Sequence, residues 1–229
     1  MTKTPRTEPF LRHYQDYDQW FERHRAAYLS ELLAVRALLP WQGRGLEIGV
    51  GTGRFGGPLG VKIGIDPVAE MLRYARARGV TVVQAIAEAL PFPDGVFDSV
   101  LIVTTMCFVD DRSATLRQAA RVLRPGGALV IGLIDRESPL GQDYLVHQTE
   151  SIFYREATFL SASEVEALLT DSGFGELNWI QTLHTPLSRT KEIESATAGT
   201  GRGAFLVVRA TRGDERRGDP TMNGQSSRG

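Results

Sequence analysis

The chain has 229 residues, 42% hydrophobic and 23% charged, with a formal net charge of −1. That length suits one domain around a single core rather than two, and the balanced charge offers no basic face for a phosphate backbone, so a small-molecule partner is favoured over nucleic acid. A single cysteine, Cys107, excludes an internal disulfide and any zinc site built on several thiolates, and the histidines at 13, 24, 147 and 184 lack paired ligand spacing, so no metal is expected.

Residues 1–9 and 211–229 are rich in Thr, Pro, Gly, Arg and Ser and are expected to be disordered, which leaves 10–210 as one domain. The polar start lacks the apolar core of a secretory signal and no apolar run reaches the length of a membrane span, so a cytoplasmic protein is expected. From 10 to 39 the apolar residues recur at helical spacing, giving a helix with room for one break that Pro40 closes. Strands follow at 45–49, 61–66, 80–86, 97–104 and 128–133, and their continuous Val/Ile/Leu character predicts a sheet covered on both faces. Between them, 68–78 and 113–123 read as amphipathic helices stopped by glycine or proline. Ser161 and Glu164 form a capping box that opens a helix running to about Gly173. Two more strands, 176–183 and 204–210, are separated by a polar stretch too long for a tight hairpin. Strands alternating with helices predict an α/β fold with an open, doubly wound, mostly parallel sheet of seven strands.

The turn Glu47-Ile-Gly49-Val-Gly51-Thr-Gly53-Arg-Phe-Gly56 follows the first strand, where a doubly wound sheet binds its ligand. Glycines there admit close approach of the backbone, and amides at a helix start can meet a carboxylate or a phosphate. Counted from Gly51 through Gly53 to Gly56, the turn also meets a dinucleotide fingerprint, so the glycines alone leave a nicotinamide cofactor open. Asp66, the next acidic residue at a strand end, arrives sooner than the spacing of about 20 residues such a site expects, which weighs against that cofactor. Asp66 can accept both hydroxyls of a ribose, and Glu47 adds a charge able to hold an ammonium. S-adenosylmethionine carries both groups.

Together with Gly64-Ile-Asp-Pro-Val-Ala-Glu-Met-Leu72, the segment from Ala87 to Asp98 containing Leu-Pro-Phe-Pro-Asp-Gly, and Arg121-Val-Leu-Arg-Pro-Gly-Gly127, this turn resembles the class I S-adenosylmethionine methyltransferases, type 11, of the ubiquinone/menaquinone-biosynthesis branch. The resemblance spans about 43–135 and continues more loosely to 210. It implies a Rossmann-like fold with 10–40 as a helical cap, 43–135 as the cofactor half and 136–210 as the substrate-side half. It further implies that Asp66 binds the ribose, that Pro67 and Met71 flank the adenine, and that the backbone at Ile86 and Ala87 meets the adenine edge. The family commonly has aspartate where Ile86 stands. Ile86 cannot accept a bond from the adenine amine, worth about 0.5–1.5 kcal/mol, which leaves Glu88 as the acceptor nearby. Arg124-Pro-Gly-Gly127 reads as a helix stop leading into the next strand.

Methyl transfer from a sulfonium is an in-line displacement that needs positioning and water exclusion more than a triad. The end of the fourth strand, Thr104 to Asp110, is expected beside the methyl group. It holds neither the Asn/Asp-Pro-Pro-Tyr motif of base-amine methylation nor the Pro-Cys pair of cytosine-carbon methylation. Cys107 reads as a packing residue or a nucleophile. The ladder Phe10, Tyr14, Tyr17, Phe21, His24 and Tyr28, with Trp20 beside it, reads as core packing, the alternative being an aromatic lid over the site, and Tyr17, Trp20 and His24 are the residues able to face it. In 141–159, Tyr144, His147, Phe153 and Tyr154 fall where substrate-covering insertions lie, and His147 is a conceivable base. The expected function is methylation of a small-molecule acceptor, yielding S-adenosylhomocysteine. A cofactor-binding protein without catalysis and a nicotinamide-dependent oxidoreductase are the alternatives.

Overall fold

The computed structural model describes residues 6–213. Eight strands form one sheet in the order β3-β2-β1-β4-β5-β8-β6-β7. Strands β1 (Gly45–Ile48), β2 (Ile63–Asp66), β3 (Thr81–Gln84), β4 (Phe97–Val103) and β5 (Leu123–Ile134) pair in parallel. Strands β6 (Phe174–Thr182), β7 (Thr197–Ala198) and β8 (Phe205–Arg212) add the antiparallel side. The chain therefore has the doubly wound, Rossmann-like α/β fold, with eight strands where seven are expected. The extra one is β7, two polar-edge residues paired to Ile180 and Gln181, too short to leave a period-two pattern in the sequence.

The central strands read as unbroken apolar runs because each face has its own core. Val100 and Ile102 pack with Leu116 and Ala119 of helix α6 (Arg112–Val122) and with Val165 and Leu169 of α8 (Ala162–Asp171). Leu101 and Val103 pack with Ala34 and Val35 of α3 (Arg25–Leu38) on the opposite face. Alternation along the strand divides one apolar run between two layers of helices. The capping box opens α8 as expected, with the Ser161 amide donating to Glu164 Oε2 at 2.9 Å and the Glu164 amide donating to Ser161 Oγ at 3.3 Å.

The N-terminal region differs from one helix with a single break. It forms α1 (Glu8–Arg12), α2 (Tyr14–Arg23) and α3, interrupted at His13 and at His24. A straight helix over 10–39 would run about 45 Å, too long to keep one face on so small a body. The two breaks let the aromatic ladder wrap the sheet's end. Residues 8 and 9 are helical and 211–212 belong to β8, so the ordered span exceeds 10–210 at both ends. The rest of the expected disorder, 1–5 and 214–229, lies outside the described residues. Among those described, no helix is long and apolar enough to cross a membrane, and no group of His, Cys, Asp or Glu could hold a metal ion.

Candidate active site

A cavity opens at the carboxyl ends of β1, β2 and β4, the crevice where the strand order reverses between β1 and β4. One side is the glycine turn. Gly49 and Gly51 have φ of 73° and 51°, and a Cβ on Gly49 would sit 2.2 Å from Thr105 Oγ1. Only glycine fits there, because the whole Thr105 side chain stands against it. Asp66, 8% exposed, faces Gly51 and holds the turn: Oδ2 accepts the Gly51 amide at 3.0 Å and Oδ1 accepts the Val68 amide at 2.9 Å. Burial pushes its pKa up to about 6 despite these two amides. Each oxygen keeps a lone pair for a further donor, so the carboxylate still suits a ribose diol. Pro67, Met71, Ile86 and Ala87 line the adjoining wall, with Ile86 39% exposed. Glu88 also lines the cavity, but its Oε1 accepts the amides of Asp110 and Asp111.

Thr104, at the end of β4, lines the cavity in a left-handed conformation with φ of 47°, while its amide donates to Gly132 O at 2.8 Å. A non-glycine residue held there is strained, and such strain concentrates at functional sites. Leu183, just past β6, is a second such residue on the same cavity, with φ of 60°.

The cap helices close the cavity from above. Tyr17 approaches the turn, its hydroxyl 3.7 Å from where a Gly51 Cβ would lie, and packs edge-on to Phe10, Phe21 and Phe153. Burial first, then the charges of Asp66, Glu47 and Glu31, push its pKa up, so the phenol stays neutral. Phe10 joins Phe108 and Phe153 at ring separations of 4.9 and 5.5 Å. The cap is pinned to the turn by charge. Arg54 grips Asp18 through Nε at 2.9 Å and Nη2 at 2.7 Å, and Arg78 reaches the same carboxylate at 2.9 Å. Burial alone would raise the pKa of Asp18, but these arginines outweigh it and hold the carboxyl below its usual range. Replacing Asp18 by asparagine should therefore loosen the cap at a cost of about 1 kcal/mol, because the pair is only partly buried and Arg54 keeps Glu22 as a second partner. Faster amide exchange in 8–23 with 97–134 unchanged is the expected readout.

Five residues expected at the site lie elsewhere. Glu47 is 2% exposed and off the cavity, its carboxylate accepting the Gly56 amide at 2.8 Å, so it closes the turn instead of waiting for an ammonium. Burial, despite that amide, raises its pKa well above the usual range, with Asp66 adding to the effect. Gly53, just ahead of the short helix α4 (Gly56–Leu59), lies against α5 (Ala69–Ala77), where a Cβ would come 2.9 Å from Ala75 Cα. His24 sits at the α2–α3 break beside Trp20, not on the cavity lining. His147 is exposed at the end of α7 (Pro139–Val146), its Nδ1 3.0 Å from Asp143 O. Cys107 packs with Ala157 and Phe159, its thiol 3.4 Å from Thr104 O, and burial pushes its pKa up to about 12. That thiol is no nucleophile at neutral pH. Cys107→Ala should lower stability by about 1–2 kcal/mol and leave the affinity for S-adenosylhomocysteine unchanged, as thermal melting and calorimetry would record.

Tyr17, Trp20, Thr104 and Tyr154 do line the cavity. So does one residue that the sequence reading passed over: Glu31, on the buried stripe of α3 with Ala27, Tyr28, Ala34, Val35 and Leu38. The available signal was a carboxylate at a position where the helical period calls for an apolar side chain.

A glycine turn, an acidic residue at the end of β2 and a capped crevice over a doubly wound sheet define an adenosine-type site of the class I kind. Residues 46–131 match the family model for a methyltransferase domain. A solved structure from Thermotoga maritima, described as an S-adenosylmethionine-dependent methyltransferase and possible histamine N-methyltransferase, is 48% identical, with a TM-score of 0.88 over 90% of this chain and 99% of that one. An uncharacterized protein of Methanocaldococcus jannaschii is 41% identical over 201 residues, 88% of this chain and 97% of the relative. The ubiquinone/menaquinone biosynthesis C-methyltransferase of Pasteurella multocida is 32% identical over 168 residues, 58% of this chain and 63% of that enzyme. The chain belongs to the S-adenosylmethionine-dependent methyltransferases, in the type 11 branch, and S-adenosylmethionine is its cofactor.

Proposed function

We propose that this enzyme, a single cytoplasmic domain over about 8–212, methylates a small-molecule acceptor by in-line transfer inside the capped cavity. The observation that carries the reading is one cavity lined both by Gly49, Gly51 and Asp66 and by the aromatic rings of the cap, with strained Thr104 on the same lining. At the β1–β2 end, Asp66 takes the ribose hydroxyls, the backbone of Gly49 and Gly51 admits the amino-acid portion, and Pro67, Met71, Ile86 and Ala87 enclose the adenine. With Ile86 apolar and Glu88 Oε1 engaged by two amides, contact and backbone groups near Ala87 hold the ring more than a side-chain carboxylate does. When bound, S-adenosylmethionine supplies an electrophilic methyl on a sulfonium. The protein's part is to position the acceptor along that axis and keep water out, which the rings of Phe10, Tyr17, Phe108 and Phe153 are placed to do.

Titration of the protein with S-adenosylhomocysteine by calorimetry tests the cofactor end directly, with one-to-one binding expected. Tight binding of a nicotinamide dinucleotide, with none of S-adenosylhomocysteine, would overturn the reading.

A further inference from the structure

Three carboxylates line the cavity, and they are not alike. Asp66 takes the amides of Gly51 and Val68, and Glu88 takes those of Asp110 and Asp111. Glu31 is 8% exposed, and among the described residues no hydrogen bond or ion pair reaches it. An uncompensated carboxylate in an apolar enclosure costs several kcal/mol, so a fold that keeps one leaves it for a partner that arrives from outside. Helix α3, which carries it, packs against β5, β6 and β8. That sets Glu31 toward the β5–β8 side of the cavity lining.

The neighbours of Glu31 describe the partner. Its charge reaches the phenols of Tyr17, Tyr144 and Tyr154, which are its titratable neighbours; burial raises the pKa of each, and Glu31 adds to the rise. Trp20 and Phe153 line the same cavity. Among the described residues the one cation of the lining is Arg6, and its guanidinium is already engaged, Nη1 donating to Thr158 Oγ1 at 3.1 Å and to Glu156 O. A carboxylate without a counter-ion among aromatic faces is a receptor for an organic cation. Its ionised form repels an acidic acceptor, and a neutral hydroxyl offers no positive charge to draw the carboxyl into that form.

Resting on the methyltransferase reading above, we propose that the acceptor is an amine, bound as its ammonium by Glu31 within the rings of Trp20, Tyr144, Phe153 and Tyr154, and deprotonated by Glu31 before methylation. Glu31 takes one N–H proton, forming its O–H bond. The electron pair freed on nitrogen makes the new N–C bond, and the pair of the broken C–S bond stays on sulfur. The methylated product leaves as an ammonium, and Glu31 returns its proton to solvent. The acidity order supports the step. Burial pushes the pKa of Glu31 up to about 8, close to that of an alkylammonium at about 10, whereas an aliphatic hydroxyl, as weak an acid as water, lies far out of its reach.

The test uses the full chain saturated with S-adenosylhomocysteine, titrated with tetramethylammonium and phenethyltrimethylammonium, cations that cannot be methylated, and with neutral 2-phenylethanol. The phenethyl cation should bind at least tenfold more tightly than the alcohol at pH 7. Binding should release protons to the buffer, because the cation draws Glu31 into its charged form while the three phenols and Asp66 keep their states. Glu31→Gln should abolish the preference and the proton release, with S-adenosylhomocysteine affinity unchanged. Glu31→Asp should retain part of the preference, which guards against misfolding of the first variant. Turnover of phenethylamine, histamine or tryptamine should fall at least 100-fold in Glu31→Gln. Equal binding of cation and alcohol, no binding of either cation, or an unchanged preference in Glu31→Gln would overturn the proposal. Failure of S-adenosylhomocysteine itself to bind would instead overturn the methyltransferase reading.

Discussion

Asp66→Ala is expected to weaken S-adenosylmethionine binding by about 100-fold or more while leaving the fold in place. Two hydrogen bonds from ribose to a charged acceptor contribute roughly 1.5–3 kcal/mol each, and each 1.4 kcal/mol is a factor of ten. Stability should change much less, because two opposing effects meet at this side chain. The substitution strands the amides of Gly51 and Val68, which costs about 1–3 kcal/mol apiece. It also removes a carboxylate whose pKa burial has raised from 3.8 to about 6, so that keeping it ionised at neutral pH was itself unfavourable. The same pKa gives a pH signature in the unaltered protein. Ribose binding needs the ionised acceptor, so affinity should fall as pH drops through about 6 and level off above 7. Calorimetry at pH 5, 6 and 7.5 on both proteins would show it. Pairing unchanged affinity in a folded Asp66→Ala protein with the wild-type value would remove Asp66 from the cofactor site.

Glu31→Gln should make the protein more heat-stable at pH 8 while it loses acceptor recognition. The folded-state pKa of Glu31 is raised from 4.5 to about 8, by burial. A carboxyl with a raised folded pKa contributes stability that is fully present below pH 4.5 and is lost as pH rises through 8. Each pH unit between those values costs about 1.4 kcal/mol, so the penalty at pH 8 is on the order of a few kcal/mol. Glutamine keeps the shape without the charge, at the cost of a buried amide that finds no partner. The net effect should be a Tm several degrees higher at pH 8 and close to wild type at pH 5, with a flatter slope of Tm against pH in between. A Tm difference of the same size at both pH values would mean that Glu31 is not the buried ionisable group responsible. Carrying such a group against stability is what a binding site requires and a purely structural helix does not.

The cofactor end of the site was legible in the sequence because neighbouring residues build it. The glycine turn and Asp66 are each the end of a strand and the first residues beyond it, and parallel strands bring those ends side by side. Period and composition suffice for that arithmetic: the unbroken apolar runs of β4 and β5 predict a sheet covered on both faces, and the early Asp66 argues against a dinucleotide. The capping box of α8 is local in the same sense, whereas Arg124–Gly127, expected as a helix stop before the strand, already belongs to β5, α6 having ended at Val122. The acceptor end is different. Glu31, Tyr144, Tyr154 and Leu183 come from segments far apart in the chain, and only the folded sheet and the broken cap helices bring them to one cavity. Period could not decide which way the aromatic ladder faced, since a ring packed on the core and a ring facing a ligand leave the same spacing. Nor could residue type decide among the polar candidates. Glu47 is spent on the Gly56 amide, Cys107 on packing, and His24 and His147 lie off the cavity lining. The sequence by itself determined the sheet, the cofactor and the acidic residue at the ribose. The tertiary structure alone decided which side chains meet the acceptor, because that choice depends on the direction of side chains and on burial between distant segments, which no local pattern encodes.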